Sequence, residues 1–248
     1  MNKKNTLKAV FFDFGGTLMD SESDKVAHLH MMKEIKSQYQ LSAKEEQLVD
    51  QYHTQLFNND MTLKSHSQND NVQFKQIHFY SEAAFCTLLK QFSIKITDSD
   101  RNWFNKIYLD NHLKYVQLVE GVWDVMDLVK KNDYHCGIIS DIDEYYQVSQ
   151  FQALNLTDAF HSITTSEEVR NYKPDPNIFR IALNKANCKG NEAIIIGDSY
   201  AKDIAGGKNM GMTTIWINRY QNHPGETNLA DYIVSRFKEI IPVLNHLL

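Results

Sequence analysis

Two textures of hydrophobicity alternate along this chain. Short, nearly unbroken apolar runs occur at Ala9 to Phe14, His135 to Ser140, Phe160 to Thr164, Ala193 to Gly197, Thr213 to Ile217 and Tyr232 to Val234. Runs of that length predict strands buried on both faces, as in a parallel sheet. From residue 121 onward they alternate with helical periodicity, at Val122 to Lys131, Glu144 to Leu154, Pro176 to Ala186 and Ala201 to Met210. That alternation predicts an α/β fold with a doubly wound parallel sheet.

Between Met19 and about residue 118 the strand texture stops and helical mixtures of polar and apolar residues replace it. The pattern predicts that the chain leaves the sheet after its first strand, builds an inserted helical cap of four helices, and returns near Glu120 and Gly121. The sheet domain is then residues 1–18 and 119–248, and the cap domain residues 19–118. Ser42 with Glu45 reads as a capping box, and Thr97 to Asp100 as a second helix start. The polar stretch from Asn58 to Asn71 lacks apolar periodicity and reads as a loop, as does Tyr220 to Thr227.

The 248 residues, 42% hydrophobic and 23% charged, suffice for one large core with a smaller satellite. A formal charge of −5 gives no general attraction to nucleic acid or anionic membrane, and neither is expected as a partner. Cys86, Cys136 and Cys188 form no disulfide pattern and no C-x-x-C pair. With neither a signal-peptide core nor an apolar stretch of membrane-spanning length, a cytoplasmic location is expected. Nothing in the pattern bears on oligomeric state.

Candidate chemistry lies at the strand ends, where open parallel sheets place their ligand crevice. Asp13 follows the first strand in D-F-G-G-T-L, Ser140 closes the second in I-I-S-D, Lys173 follows the third in K-P-D-P, and Asp198 follows the fourth in G-D-S-Y-A-K-D, with Asp203 five residues on. Each has an ordinary reading: a turn aspartate, a helix cap, a solvated loop lysine, acids flanking a helix start. Together they would bring a nucleophilic carboxylate, a hydroxyl, a cation and metal-binding acids to one edge.

These four motifs, in this order and spanning nearly the whole chain, resemble the haloacid dehalogenase (HAD) superfamily, in the branch with a helical cap inserted after the first strand. The resemblance implies a Rossmann-like core and a hydrolase acting on a small phosphorylated metabolite. Asp13 would be the covalent nucleophile, forming an aspartyl-phosphate. Mg²⁺ would be held by Asp13, the Gly15 carbonyl and Asp198, with Asp203 behind them or acting through water. Lys173 would serve catalysis and, with Gly16, Thr17 and Ser140, bind the phosphoryl group.

Two positions depart from the family pattern. Phosphatases of the family carry a second aspartate two residues after the nucleophile as general acid and base, and Gly15 stands there. General acid–base help is worth roughly 10²- to 10⁴-fold. Three readings therefore stay open: a phosphatase for substrates with good leaving groups or with an acid from elsewhere; a C–P or C–halogen hydrolase, the former needing a Schiff-base lysine such as Lys25, Lys33, Lys36 or Lys44; or a weakly active binder of phosphorylated ligands or proteins. The second departure is Asp141, beside the phosphate site, where the family more often has Asn; it reads as a helix cap turned away from the phosphate.

The ten histidines suggest no shared site. His28 and His30 are two apart on a helix and face different ways. His66, His78 and His112 are isolated, though one of them could donate the missing proton. Trp103, Tyr108, Tyr115 and Trp123 read as packing residues. Substrate choice falls to residues 19–25 and the first two cap helices.

Overall fold

The computed structural model describes residues 7–63, 80–221 and 228–247. Its strands are β1 (Ala9–Phe12), β2 (His135–Ser140), β3 (Ser162–Thr165), β4 (Ala193–Gly197), β5 (Thr213–Ile217) and β6 (Tyr232–Val234). They form one parallel sheet in the order β3-β2-β1-β4-β5-β6. β1 (AVFF) and β4 (AIIIG) are buried throughout, as runs with no polar face require. Chain order reverses between β1 and β4, so this sheet has its switch point where the two strands lie side by side.

The helices are α1 (Ser21–Tyr39), α2 (Glu45–Leu63), α3 (Glu82–Gln91), α4 (Asp98–Tyr115), α5 (Val122–Lys131), α6 (Glu144–Ala153), α7 (Ser166–Val169), α8 (Pro176–Lys185), α9 (Ala205–Asn209) and α10 (Ile240–Leu247). Among the described residues no helix is long and apolar enough to cross a membrane. The chain divides into two compact units, residues 1–20, 118–141 and 154–248, which hold the sheet, and residues 21–117 with 142–153, whose described elements are helices.

In the sheet unit, α8 packs Ile178, Phe179, Ala182 and Leu183 with Phe11, Ile139 and Ile195 of the strands in one buried cluster. Met19 and Leu118 form an antiparallel bridge, and the Val119 N–H donates to the Leu18 carbonyl at 2.8 Å, so the outgoing and returning chains run together. Strand β1 ends two residues before the apolar run does, because Asp13 and Phe14 already curve into the following turns. Asp13 nonetheless donates its N–H to Ile196 O at 2.9 Å.

In the helical unit, Met31, Ile35, Tyr52, Phe85, Phe104 and Tyr108 share one core, with the Phe85 and Phe104 rings stacked at 4.4 Å. Helix α4 starts on the expected box: Thr97 Oγ1 accepts from the Asp100 N–H, and Asp100 accepts from the Thr97 N–H at 2.8 Å. The Ser42 box does not form; Glu45 is already inside α2, and the side chain of Gln47 instead accepts from the Lys44 N–H at 3.2 Å. Residues 58–63, expected in a loop, continue α2, and the rest of that stretch lies outside the described residues. Helix α6 groups with the helical unit, because Tyr146 puts its ring into that core. Trp123 is 43% exposed and so is not a packing residue, whereas Tyr108 is buried and Tyr115 stacks on His30.

Candidate active site

Parallel strands in register deliver their carboxyl-terminal residues to one rim. Phe12 pairs with Ile138 and with Ile196, which sets Asp13, Ser140 and Asp198 just beyond, at the switch point. The carboxylates of Asp13, Asp198 and Asp203 lie with ligand oxygens within 4.8 Å of one another. Lys173, from the loop after β3, reaches into them: Nζ donates to Asp13 Oδ1 at 2.6 Å, Asp203 Oδ1 at 2.7 Å and the Ile139 carbonyl at 3.1 Å. Lys173 is 3% exposed, Asp13 6% and Asp203 0%, so these are desolvated ion pairs whose charges must be matched locally.

Asp203 spends both oxygens within the protein, Oδ1 on Lys173 and Oδ2 on the Ser199 N–H at 3.0 Å. It is thereby an anchor for the lysine. Asp198 exchanges hydrogen bonds with Thr17, whose hydroxyl donates to Oδ1 at 3.3 Å and accepts the Asp198 N–H at 3.1 Å. Thr17 is buried, and its hydroxyl orients this acid. Gly16 has φ +76°, and a Cβ there would sit 2.4 Å from Asp198 Oδ2, so glycine is required on both counts. Gly15 is exposed, its φ lies outside the left-handed region, and a Cβ would meet nothing within 4 Å. Its lack of a side chain is a chemical feature, with no steric cause.

Ser140 closes β2 at the same rim and is buried. Asp141, expected as a helix cap, caps no helix. Its Oδ1 accepts the backbone N–H of Lys173 at 3.0 Å and its Oδ2 pairs with Lys202 at 3.2 Å. It thus fixes the loop that carries the lysine. Two participants escaped the sequence reading. Arg219, two residues beyond β5, donates to the Gly16 carbonyl at 2.6 Å and the Thr17 carbonyl at 3.2 Å, clamping the turn after Asp13. Trp216 donates Nε1 to the Asp198 carbonyl at 3.0 Å. The rule that flagged the first four strand ends, applied to the fifth, would have found Arg219.

Burial, with the Asp13 charge adding to it, pushes the Asp198 carboxyl up to about 6 against the pull of Lys173 and Arg219. Burial likewise pushes Asp203 up, opposed by Lys173. For Lys173 burial works the other way, yet the charges of Asp13, Asp203 and Asp141 outweigh it and hold the ammonium well above its ordinary value. The acids are thus raised first by burial and then by one another's charge. A hard divalent cation with oxygen ligands supplies positive charge, and the donor set Asp13 and Asp198 suits it.

A buried carboxylate and lysine at the switch point of a parallel sheet, backed by two further acids, define a hydrolase-type centre on a Rossmann-like core. The comparisons agree, and the chain belongs to the haloacid dehalogenase-like hydrolase family, whose sequence pattern matches residues 10–217. It is 34% identical over 142 residues to a glyceraldehyde 3-phosphate phosphatase of Pyrococcus furiosus, covering 55% of this chain and 58% of that one. It is 34% identical over 110 residues to the pyrophosphatase PpaX of Bacillus velezensis, covering 43% and 50%. The matches thus span about half the length of these curated relatives. The fold is similar to that of the HAD-hydrolase YfnB of Bacillus subtilis, solved bound to magnesium, with TM-score 0.78 and 19% identity over 97% of this chain and 99% of that one.

Proposed function

We propose that this protein is a magnesium-dependent phosphatase of small phosphorylated metabolites, with Asp13 as nucleophile and residues 19–118 as its cap. The observation that carries the reading is Lys173 Nζ held between Asp13 and Asp203, at 2.6 and 2.7 Å, in a buried crevice. The phosphatase names of the curated relatives support the substrate class.

In this reading an Asp13 carboxylate oxygen forms a bond to phosphorus as the leaving oxygen departs. Water then attacks phosphorus and frees Asp13 with release of phosphate. Lys173 holds Asp13 in place and offers positive charge to the phosphoryl oxygens, while Asp203 and Asp141 position Lys173. Ser140, Gly16 and the backbone N–H groups after Asp13 line the phosphoryl site. Asp13, Asp198 and the Gly15 carbonyl would hold Mg²⁺, which when bound offsets repulsion between the anionic nucleophile and the anionic phosphoryl group. Gly15 has no proton to give, so substrates whose leaving group departs as a stable anion are favoured, such as acyl phosphates and phosphoanhydrides.

Gly15 is also the observation that favours a second reading, hydrolysis of C–halogen or C–P bonds. The acids at 198 and 203 weigh against the first of these. For the second, Lys25, Lys33 and Lys44 are exposed and Lys36 pairs with Glu45, where a Schiff-base lysine needs a desolvated pocket. Acetyl phosphate and p-nitrophenyl phosphate assayed with and without Mg²⁺, and a 2-haloacid assayed in EDTA, separate the readings. Mg²⁺-dependent phosphate release is expected. Metal-independent halide release, or no turnover of any substrate, would overturn the proposal.

A further inference from the structure

The helical unit contains a second buried polar cluster. Asp24 and His28 stand four residues apart on one face of α1, and His112 on α4 faces them. One ligand atom from each lies within 4.8 Å of the other two. His112 Nε2 is 3.1 Å from Asp24 Oδ1, and His28 Nδ1 is 3.8 Å from Asp24 Oδ2. His53 on α2 brings its Nε2 to 2.9 Å from His28 Nδ1. In a tetrahedral zinc site with metal–nitrogen bonds of about 2.0 to 2.1 Å, neighbouring ligand atoms stand roughly 3.3 Å apart, a value that the two Asp24 separations bracket.

Hydrogen placement at His112 adds an independent constraint. Its Nδ1 is 2.7 Å from the Tyr108 carbonyl oxygen, which can only accept, so Nδ1 carries a hydrogen. Nε2 then faces the Asp24 carboxylate. A neutral ring would turn a lone pair on that carboxylate, and either a second proton or a bound cation must lie between them. An imidazole that gives its Nδ1–H to a backbone carbonyl and offers Nε2 is in the arrangement metal-bound histidines adopt.

His28 repeats the mismatch. It is 4% exposed, and its Nε2 is buried with no hydrogen-bond partner among the described residues. The His28 ring meets those of His53 and His112 in T-shaped contacts at 4.9 and 5.0 Å, beside the Asp24 carboxylate.

We infer that Asp24, His28 and His112 form a site for a zinc-type divalent ion that pins α1 and α4 together. Imidazole nitrogen with a single carboxylate selects zinc and its neighbours over magnesium. The site buries His28 and His112 and leaves the Asp24 side chain 28% exposed. It is independent of the chemistry proposed at Asp13.

The test uses the full chain, stripped with EDTA, desalted, and titrated with Co²⁺ in millimolar Mg²⁺. The expected result is a visible absorption band of four-coordinate Co²⁺ that saturates at one equivalent and is abolished by equimolar Zn²⁺. His112→Ala and His28→Gln should each weaken binding by at least about 100-fold, beyond the loss typical of outer-shell partners, whereas Asp198→Asn should leave the band intact. No band in the wild type, or a band lost in Asp198→Asn and kept in the histidine variants, would overturn the site. Should a histidine variant fail to fold by circular dichroism, X-ray absorption of the wild type loaded with Zn²⁺ decides. Outer-shell scattering from two or more imidazoles supports the site, and an oxygen-only shell refutes it.

Discussion

The carboxylate cluster of the sheet unit and the histidine cluster of the helical unit solve the burial of polar groups differently. At Asp13 the protein supplies its own counter-charge, since Lys173 stands against two carboxylates and a carbonyl. At Asp24 no lysine or arginine among the described residues pairs with the acid, and imidazoles share it, with His28 Nε2 left over among those residues. The difference teaches that charge balance alone does not mark a metal site. The sheet cluster is charged, and burial together with the Asp13 charge raises the Asp198 carboxyl. The helical cluster instead sets imidazoles around one carboxylate. Hard Mg²⁺ suits the first and zinc the second.

The largest expected effect that would sharpen this contrast is at the nucleophile. Asp13→Asn keeps the shape and removes the charge, so turnover of acetyl phosphate should fall by about 10⁴-fold or more, as for other covalent nucleophiles, with the circular dichroism spectrum unchanged. Activity near wild type would end the case for covalent catalysis there.

Next is Lys173→Met, which strands Asp13 and Asp203 in a buried site. Breaking one partner from a buried pair costs about 3–5 kcal/mol, and urea unfolding in EDTA should register a loss of that size. A change confined to activity would show that the cluster is better solvated than its burial implies.

Gly15→Asp comes third. Nothing obstructs a side chain there, and a general acid should raise hydrolysis of unactivated phosphomonoesters, by up to about 10²-fold, with less effect on acetyl phosphate. A folded variant no faster on such esters would sink the account of the missing proton donor.

The smallest effect concerns pH. The Asp198 carboxyl is raised in the folded protein from an ordinary 3.8 to about 6, so its contribution to stability is fully present below pH 4 and is lost as pH rises through 6. Mg²⁺ favours the ionised form, so the gain in melting temperature on adding Mg²⁺ should grow by a few degrees between pH 5 and pH 7.5. An equal gain at both values would argue that the ion does not bind these acids.

Much of the sheet site was legible because its parts are local. Each strand announces itself by an apolar run such as AIIIG, and the polar residue ending the run lands on the rim whatever the rest of the chain does. What Asp141 does was not legible in its neighbourhood, because its partner is the Lys173 N–H, 32 residues away. The histidine cluster was harder still. Attention to His28 and His30 missed the Asp24 and His28 spacing on the same helix, and His112 enters from 88 residues beyond Asp24. His66 and His78 lie outside the described residues.

The sequence by itself determined the alternation of strand and helix, the departure of the chain near Met19, and the delivery of Asp13, Ser140 and Asp198 to strand ends, because hydrophobic periodicity acts within a few residues. Only the tertiary structure decided that Lys173 bridges Asp13 and Asp203, that Thr17 serves Asp198, that Arg219 clamps the turn, and that α1 and α4 bring Asp24, His28 and His112 together. Those outcomes depend on which distant side chains must neutralise one another once water is excluded, and that demand exists only after the core has closed.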